Sequence, residues 1–239
     1  MRYCDVTWSS PEENLAFDEA LLDACDEGQC PELLRVWEPP RYFVVLGYAN
    51  RISTEVHLDF CQRNMIPVLR RCSGGGAVLQ GPGCLDFSLV LKTDSSAELQ
   101  SIPGTNQFIL RKNQHALSTL LQARVEVQGH TDLAIGGLKF CGSAQRRKKR
   151  AVLFHGCFLL HLDISMVEKT LPPPSRQPDY RGNRSHTDFL MNAKVRVDIL
   201  KGALARAWEA AEALEQLPFD QMTALARAKY GREEWNLKF

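Results

Sequence analysis

The sequence lacks any Cys-x-x-Cys pair, although it contains eight cysteines in 239 residues. The thiols are scattered, and several lie inside apolar stretches such as FHGCFLL. This spacing argues against a disulfide framework and against a structural zinc site. We therefore predict reduced, mostly buried thiols in a reducing compartment, at positions Cys4, Cys25, Cys30, Cys61, Cys72, Cys84, Cys141 and Cys157.

Long apolar runs are also missing. The N-terminal segment MRYCDVTWSSPEEN has no apolar core like that of a signal peptide, and no stretch approaches the ~18 apolar residues of a membrane span. Charge of one sign is missing too, since 29 basic and 28 acidic residues give a net charge of +1. Because no global field attracts nucleic acid or membrane, neither is expected as a partner. The missing signal peptide and membrane span predict a cytoplasmic protein.

The length fits a single domain over residues 1–239, and no internal repeat is present. Ser10-Pro11-Glu12-Glu13 predicts a capped helix start, and a second helix is predicted from Pro103. A helical tail is predicted over about 190–239, with an apolar stripe continuing to Leu214. Residues 170–186 are predicted to form a surface loop that is mobile unless a ligand orders it. Strands are predicted at 33–37, 42–48, 66–71, 77–80, 86–91, 125–128, 132–135, 138–145 and 152–162.

Three consecutive glycines follow two arginines in the segment RRCSGGGAV, residues 70–78. Glycine leaves the backbone free to adopt positive φ, so several N–H groups can turn toward one phosphate or carboxylate. The guanidinium groups of Arg70 and Arg71 suit phosphate geometry as well. The segment is neither a Walker A loop nor a GxGxxG motif that opens a helix. It is either an anion-binding loop or a plain glycine-rich hairpin.

A second segment, HTDLAIGGLKFCGS, predicts a two-residue hairpin turn at Gly136-Gly137. In that register Ala134 faces Lys139 and Asp132 faces Cys141, and these four side chains share the face of the sheet away from the core. Asp132 then lies diagonal to Lys139, at roughly 7–8 Å between Cα atoms. The pair could hold a phosphate or a cation, or Lys139 could be an ordinary surface lysine.

Two further clusters are weaker signals. Residues 146–150 are all basic and form either a nucleic-acid patch or a solvated hairpin tip, which we favour because the net charge is near zero. His155, Cys157 and His161 could face one way along a strand like a metal triad. Apolar residues share that face, so a metal site is not favoured.

Together these segments resemble the lipoate–protein ligase A family, whose relatives include octanoyltransferases. The resemblance covers about residues 14–236 through the motifs NLAFDEALL, LRVWEPPRYFVVLGYAN, RRCSGGGAV, TDLAIGGLKFCGSAQRRKKR and LFHGCFLL. It implies an α+β domain with the biotin/lipoate ligase fold, which is class II synthetase-like. In that fold a largely antiparallel mixed sheet is flanked by helices.

The resemblance also implies a reaction. Lipoate or octanoate would react with ATP and Mg²⁺ to give an acyl-adenylate, which a lysine of another protein then attacks, and no tightly bound prosthetic group is expected. Lys139 would be the catalytic residue, and Asp132 would orient it or bind Mg²⁺. Arg70, Arg181 and Arg184 are further candidates for phosphate contacts. The residues implied to bind ATP and lipoate are Arg71, Ser73, Gly74, Gly75, Gly76, Ala77, Val78, Leu79, Asp132, Lys139, Gly142, Ser143 and His155.

One departure from the ligase pattern favours the transferases. Where ligases show an aromatic residue and then His-Asp, this chain continues as LQGPG, like the octanoyltransferases. Those enzymes need a cysteine nucleophile, and the two places where it occurs correspond here to Leu153 and to 122–132, which contains no cysteine. Cys141 and Cys157 match neither place. Adenylation is therefore favoured over ATP-independent octanoyl or lipoyl transfer, and over a non-catalytic homologue that binds acyl-AMP or the acceptor.

The implied partner is a lipoyl carrier domain. Such domains occur in 2-oxoacid dehydrogenase acyltransferase subunits, in the glycine cleavage H protein and in related carriers. Many ligases also have a C-terminal accessory domain, and no large one is found before Phe239. Either the activity needs no such domain, or a separate accessory subunit supplies it.

Overall fold

Two β-sheets form the framework of the protein, which is described over residues 1–239 by a computed structural model. The strands are β1 (Arg2–Asp5), β2 (Leu33–Trp37), β3 (Phe43–Leu46), β4 (Val68–Arg70), β5 (Val78–Gln80), β6 (Cys84–Lys92), β7 (Val125–Gln128), β8 (Asp132–Ile135), β9 (Leu138–Arg147), β10 (Ala151–Leu159) and β11 (Glu212–Ala213). Eight of them form one sheet in the order β11-β1-β2-β6-β10-β9-β8-β7. The other three form a small sheet in the order β4-β3-β5.

The large sheet is mostly antiparallel, as predicted. Only β1 pairs in parallel, with β2 on one side and β11 on the other. In the small sheet, β3 pairs in parallel with β4 and antiparallel with β5, so that β5 is an edge strand. The glycine segment connects the end of β4 to the start of β5, so it lies at one end of the small sheet.

Nine helices surround the sheets. They are α1 (Pro11–Asp26), α2 (Ile52–Glu55), α3 (Leu58–Arg63), α4 (Ile102–Leu121), α5 (Ile164–Thr170), α6 (His186–Phe189), α7 (Val197–Ala207), α8 (Phe219–Leu225) and α9 (Glu233–Asn236). The predicted capping box is present at α1, because the Ser10 hydroxyl accepts from the Glu13 N–H while the Glu13 carboxylate accepts from the Ser10 N–H. None of the helices has the length and apolarity needed to cross a bilayer.

The helices divide between the two faces of the large sheet. On one face, α4 and α7 pack their apolar stripes on β6 and β10, with Leu117, Leu204 and Phe154 in one core cluster. On the other face, α1 packs against β6 and β10 and against α8. The small sheet contributes to this second face, through Phe43 and Leu69. The glycine loop, Lys139 and His155 lie on this second face.

The helical tail is partly wrong as predicted. The helix α7 ends at Ala207. Glu209 then adopts a positive φ of 51°, which lies outside the right-handed helical region, so the helix cannot continue through this residue. The chain then pairs with β1 as the short strand β11, so the predicted stripe does not reach Leu214 as a helix. Trp208 closes the helix by packing into the core, where its indole N–H donates to Asn113. The later part of the tail is helical as predicted.

The basic segment 146–150 is the tip of the β9–β10 hairpin, as we favoured. Arg147 donates to the Leu99 carbonyl, and Lys148 forms an ion pair with Asp23 at 2.5 Å. Two of the five charges are therefore engaged within the chain, and Lys149 is among the residues left exposed.

The C-terminal helix is fastened to the small sheet by a buried amide. Asn236 accepts from the Arg70 backbone N–H at 2.9 Å and donates to the Tyr230 carbonyl at 2.7 Å. Asn236→Ala leaves both backbone groups unpaired in a buried place, so it should lower the free energy of unfolding by about 2 kcal/mol. Urea titration of this variant checks the value. The exposed neighbour Glu234 supplies the control, because Glu234→Ala should change little, and equal effects of the two changes would contradict the account.

Candidate functional site

The glycine segment is held in shape by Arg71. Its guanidinium donates to the carbonyl oxygens of Gly74 at 2.6 Å and Gly76 at 2.8 Å, and to the Val45 carbonyl at 3.2 Å. Burial lowers the pKa of Arg71 to about 10, so the group remains charged at neutral pH. Arg71 therefore fixes the curvature of the loop from beneath.

The upper side of this loop offers unpaired backbone donors. Gly74, Gly75 and Gly76 are exposed, and none of their N–H groups finds an acceptor within the chain. Gly75 has a φ of +90°, which favours glycine, and a Cβ there would lie 2.8 Å from Arg71 Nη2. Unpaired N–H groups on such a turn form a nest for an anion.

The β8–β9 hairpin has the predicted turn but a different register. Ala134 faces Lys139, as predicted, and a bulge then shifts the pairing between Leu133 and Ala134. Beyond the bulge Leu133 faces Cys141, and Asp132 faces Gly142. The predicted pairing of Asp132 with Cys141 is therefore wrong, because a bulge adds one residue to one strand.

Cys141 accordingly points into the core. It is 1% exposed and belongs to the same apolar cluster as Leu133 and Phe140. Burial raises the pKa of its thiol. The prediction that Cys141 faces the site is wrong. Ser143 also turns to that side, since a Cβ added at its partner Gly156 would lie 2.6 Å from the Ser143 Oγ.

Lys139 ends in an ion pair with Asp132, with 2.8 Å between Nζ and Oδ1. The pair is accommodated over Gly142, where an added Cβ would lie 2.7 Å from the amine. The other carboxylate oxygen accepts from the Tyr180 hydroxyl at 2.8 Å. Both Asp132 oxygens thus bind donors, and a Mg²⁺ ion would have to displace an ammonium group. The residues present do not fit a resident Mg²⁺ site.

The glycine loop and the Lys139 amine lie on the same face of β9. A Cβ at Gly75 would lie 3.7 Å from the Ala144 Cβ, and the amine lies over Gly142. Positions 142 and 144 point to the same side of the strand, because side chains alternate. They are about 7 Å apart at the usual rise of a strand. A single anionic group could therefore contact both the loop and the amine.

A buried chain of polar side chains supports the loop from the sheet. The Ser73 Oγ lies 2.6 Å from His155 Nε2, and His155 Nδ1 lies 3.2 Å from Asp18. Asp18 also forms an ion pair with Arg35 at 2.6 Å and accepts from the Ser88 hydroxyl. Sequence reasoning identified Ser73 and His155 but missed the two charged residues. The one indication in the sequence was the carboxylate of Asp18 on the apolar stripe of α1, because a buried carboxylate needs a buried partner.

The segment 170–189, which includes the predicted surface loop, is packed on the hairpin in this conformation. Arg184 donates to the Gly137 carbonyl, and the Arg181 guanidinium stacks on Phe189 at 4.7 Å. Arg70 is fully buried and donates to backbone carbonyls, including that of Gly47. None of these three arginines presents a free guanidinium to an anion here.

The predicted residues 77–79 lie on β5 or just before it. Leu79 is buried, and Ala77 packs against the same core cluster. Because β5 is the outer strand of the small sheet, one edge of its backbone has no strand partner. The structure thus brings together the glycine loop, Lys139, Asp132, Gly142 and His155, and it places Ser143 on the opposite face.

Comparisons with known proteins identify the family. Residues 10–216 match the family described as the lipoyl protein ligase A/B catalytic domain. The octanoyltransferase LipM of Geobacillus kaustophilus is 27% identical over 99% of this chain and 98% of its own length. The lipoate-protein ligase A subunit 1 of Thermoplasma acidophilum is 30% identical over 94% and 91%. The chain belongs to the lipoyl protein ligase A/B catalytic-domain family.

Solved structures confirm the predicted fold. A crystal structure of lipoate-protein ligase A bound with ATP superposes with a TM-score of 0.78 at 27% identity, covering 99% of this chain and 98% of that one. A bi-partite lipoate protein ligase of T. acidophilum, described with its E2 lipoyl domain, gives 0.79 at 25% identity, with 99% and 96% covered. A biotin protein ligase of Leishmania major shares the fold at 0.52 and 8% identity, over 93% and 79%.

The close approach of two backbones behind the glycine loop generates a prediction. A Cβ at Gly47 would lie 2.0 Å from the Gly75 carbonyl oxygen, whereas a Cβ at Gly76 would meet nothing within 4 Å. Gly47→Ala should therefore push the loop away and lower the free energy of unfolding by about 1–3 kcal/mol. Thermal denaturation measures this loss. Gly76→Ala is the matched control and should be tolerated, and a Gly47→Ala protein as stable as the control would contradict the loop geometry.

A buried carboxyl near the site generates a second prediction. Asp86 accepts from Gln80 through one oxygen, and its other oxygen has no partner. Burial raises the pKa of Asp86 well above 3.8, so the folded protein holds a proton that the unfolded chain releases. Stability should therefore fall as pH rises from about 4 toward the folded pKa.

Asp86→Asn has no such proton to lose. We expect its free energy of unfolding to exceed that of the wild type by ~1 kcal/mol or more at pH 7, since one pKa unit corresponds to ~1.4 kcal/mol. The difference should shrink as pH falls to 4, and denaturant titrations at several pH values measure it. A difference that does not depend on pH would show that Asp86 is ionised in the folded state.

Proposed function

We propose that this chain activates lipoate or octanoate with MgATP to the acyl-adenylate and transfers the acyl group to a lysine of a lipoyl carrier domain. The observation that carries the proposal is the shared face of β9. The loop with the unpaired N–H groups at Gly74, Gly75 and Gly76 rests on Ala144, and the Lys139 amine lies over Gly142. These two strand positions are about 7 Å apart. This arrangement suits a molecule in which a phosphate and an acyl carbonyl are joined.

The chemistry assigns a role to each group. In the first step the acyl carboxylate attacks the α-phosphorus of ATP, and pyrophosphate leaves. The Lys139 ammonium neutralises the charge that develops on the α-phosphate and on the acyl oxygen, while the loop donors hold the phosphate. In the second step the acceptor amine attacks the acyl carbon, and AMP leaves. Asp132 holds the Lys139 amine over Gly142 before the substrates bind.

The cysteines support adenylation over an acyl-enzyme. All eight are buried, and a thiol nucleophile has to be accessible and readily ionised. Cys72 lies next to the glycine loop, but burial raises the pKa of its thiol to about 12. Burial and the neighbouring Cys84 raise the pKa of Cys157 as well. No thiol is therefore poised to carry the acyl group.

The relatives support the substrates and the partner. The ligase solved with bound ATP covers almost the whole of this chain, as does the bi-partite archaeal ligase described with its E2 lipoyl domain. We infer that a lipoyl carrier domain is the acceptor. The segment 170–189 contacts Asp132, the partner of Lys139, through the Tyr180 hydroxyl, so we expect this contact to change when the acyl-adenylate draws Lys139 away from Asp132.

Lys139→Ala tests the proposal. Purified protein is mixed with ATP, Mg²⁺, lipoate and an apo lipoyl domain, and pyrophosphate release is followed together with the mass of the domain. Because the amine neutralises developing charge, we expect its loss to lower the rate of pyrophosphate release by about 10²–10³-fold. Lys169, an exposed lysine on α5, is the matched control, and Lys169→Ala should retain full activity.

A second candidate is ATP-independent octanoyl transfer, which the similarity to octanoyltransferase LipM over 99% of the chain favours. The same assay separates the two activities when octanoyl-carrier protein replaces lipoate and ATP is omitted. A mass gain on the lipoyl domain under these conditions, with no activity from lipoate and ATP, would replace the ligase proposal by the transferase.

A further inference from the structure

The Ser73–His155–Asp18 chain has a defined direction of hydrogen bonding. Asp18 is ionised, because its pKa is lowered by Arg35, by His155 and by Ser88 despite the opposing effect of burial. A carboxylate only accepts hydrogen bonds, so His155 carries its proton on Nδ1 and leaves Nε2 as an acceptor. The Ser73 hydroxyl, 2.6 Å away, then donates to Nε2. This is the arrangement in which a histidine takes a proton from a hydroxyl.

The row of hydrogen-bonded side chains from Asp18 through His155 to Ser73 ends at the candidate pocket. Ser73 immediately precedes the unpaired N–H groups of the glycine loop. On the sheet His155 pairs directly with Ala144, the residue against which Gly75 rests. The Ser73 hydroxyl therefore lies beneath the loop that is assigned to hold the acyl-adenylate. Ser73 is 1% exposed, so the loop has to shift for the acceptor amine to reach this hydroxyl. Neither step as described so far uses it.

The second step of the proposed reaction needs a proton acceptor. A lysine ammonium, with a pKa near ~10.4, has to lose one proton to solvent before its nitrogen can attack, and a second proton leaves as the amide forms. Lys139 cannot accept this proton, because its role requires the ammonium form and it is paired with Asp132. The carboxylates nearby are engaged as well, Asp132 with Lys139 and Asp18 with Arg35.

We propose that Ser73 and His155 form a proton relay for attack of the acceptor lysine, with Asp18 as a positioning residue; this inference rests on the proposed function. The amine nitrogen forms its bond to the acyl carbon, and the bond from that carbon to the phosphate oxygen breaks, with the electron pair leaving on AMP. One N–H proton passes to the Ser73 Oγ as the hydroxyl proton passes to His155 Nε2. The resulting imidazolium is stabilised by the Asp18 carboxylate.

The surroundings suit this transfer. The charged groups that contact the relay are Asp18 from α1, Arg35 from β2 through Asp18, and Arg71 from the loop. Arg71 Nε donates to the Ser73 Oγ at 3.1 Å, which leaves one lone pair of the hydroxyl for the incoming amine. Arg35 and Asp18 offset one another in charge, so the imidazolium forms beside a neutral ion pair, in which the buried Arg35 Nε has no hydrogen-bond partner.

His155→Gln separates the proton transfer from the hydrogen bond. The glutamine amide can still accept from the Ser73 hydroxyl, but it cannot take up a proton. The acyl-adenylate is first formed on the enzyme, and pyrophosphate release measures that step. An apo lipoyl domain is then added in a single turnover, and its gain in mass is followed across a range of pH.

We expect the transfer step to slow by about 100-fold more than adenylate formation does, at the lower end of the usual contribution of a general base. The transfer rate of both proteins should rise with pH as the acceptor amine loses its first proton, and the ratio of the wild-type rate to the variant rate measures the contribution of the imidazole. Ser73→Ala interrupts the relay at its other end and should give the same ratio. His161→Gln makes the same change at an exposed histidine, and its rates should match the wild type.

Unchanged transfer in His155→Gln, or an equal loss in both steps, overturns the relay and leaves the proposed function standing. Wild-type protein that forms no acyl-adenylate overturns the proposed function itself, so the two failures are distinguishable. If His155→Gln does not fold, Ser73→Ala decides the question by the same measurement.

Discussion

The register of β9 is the constraint on which the rest of the site depends. One bulge in the β8–β9 hairpin sends Cys141 into the core and turns Gly142 toward Asp132. From that point the alternation of side chains puts Gly142 and Ala144 on one face, beneath the Lys139 amine and Gly75. A slip by one residue would exchange the two faces of the strand. The amine and the loop would then no longer share a pocket.

Buried polar side chains hold this arrangement rigid. Arg71 binds the carbonyls of its own loop, and Arg35 is fully buried against Asp18. Buried charges are costly unless they are paired and hydrogen-bonded, so each of these groups tolerates few alternative positions. The same pairing that fixes the loop also orients His155 toward Ser73. Structural support and chemistry therefore depend on the same few contacts.

The sequence predicted the local features well, because glycine runs and β-branched segments act over a few residues. The glycine loop, the turn at Gly136–Gly137 and most strands were recognisable, and the family motif pointed to Lys139. The orientation of Cys141 was not, since a bulge leaves no mark in the hydrophobic pattern. Asp18 was missed because its partner Arg35 lies 17 residues away on another element. Contacts of this kind depend on tertiary packing.

The central claim is that the glycine loop and Lys139 hold one acyl-adenylate between them. The most direct measurement is a crystal structure with a non-hydrolysable lipoyl-adenylate analogue. We expect the phosphate-like group within hydrogen-bond distance of the Gly74–Gly76 N–H groups, with the Lys139 amine moved from Asp132 onto the acyl and phosphate oxygens. An analogue bound elsewhere, or bound here with the amine still paired to Asp132, would contradict the account.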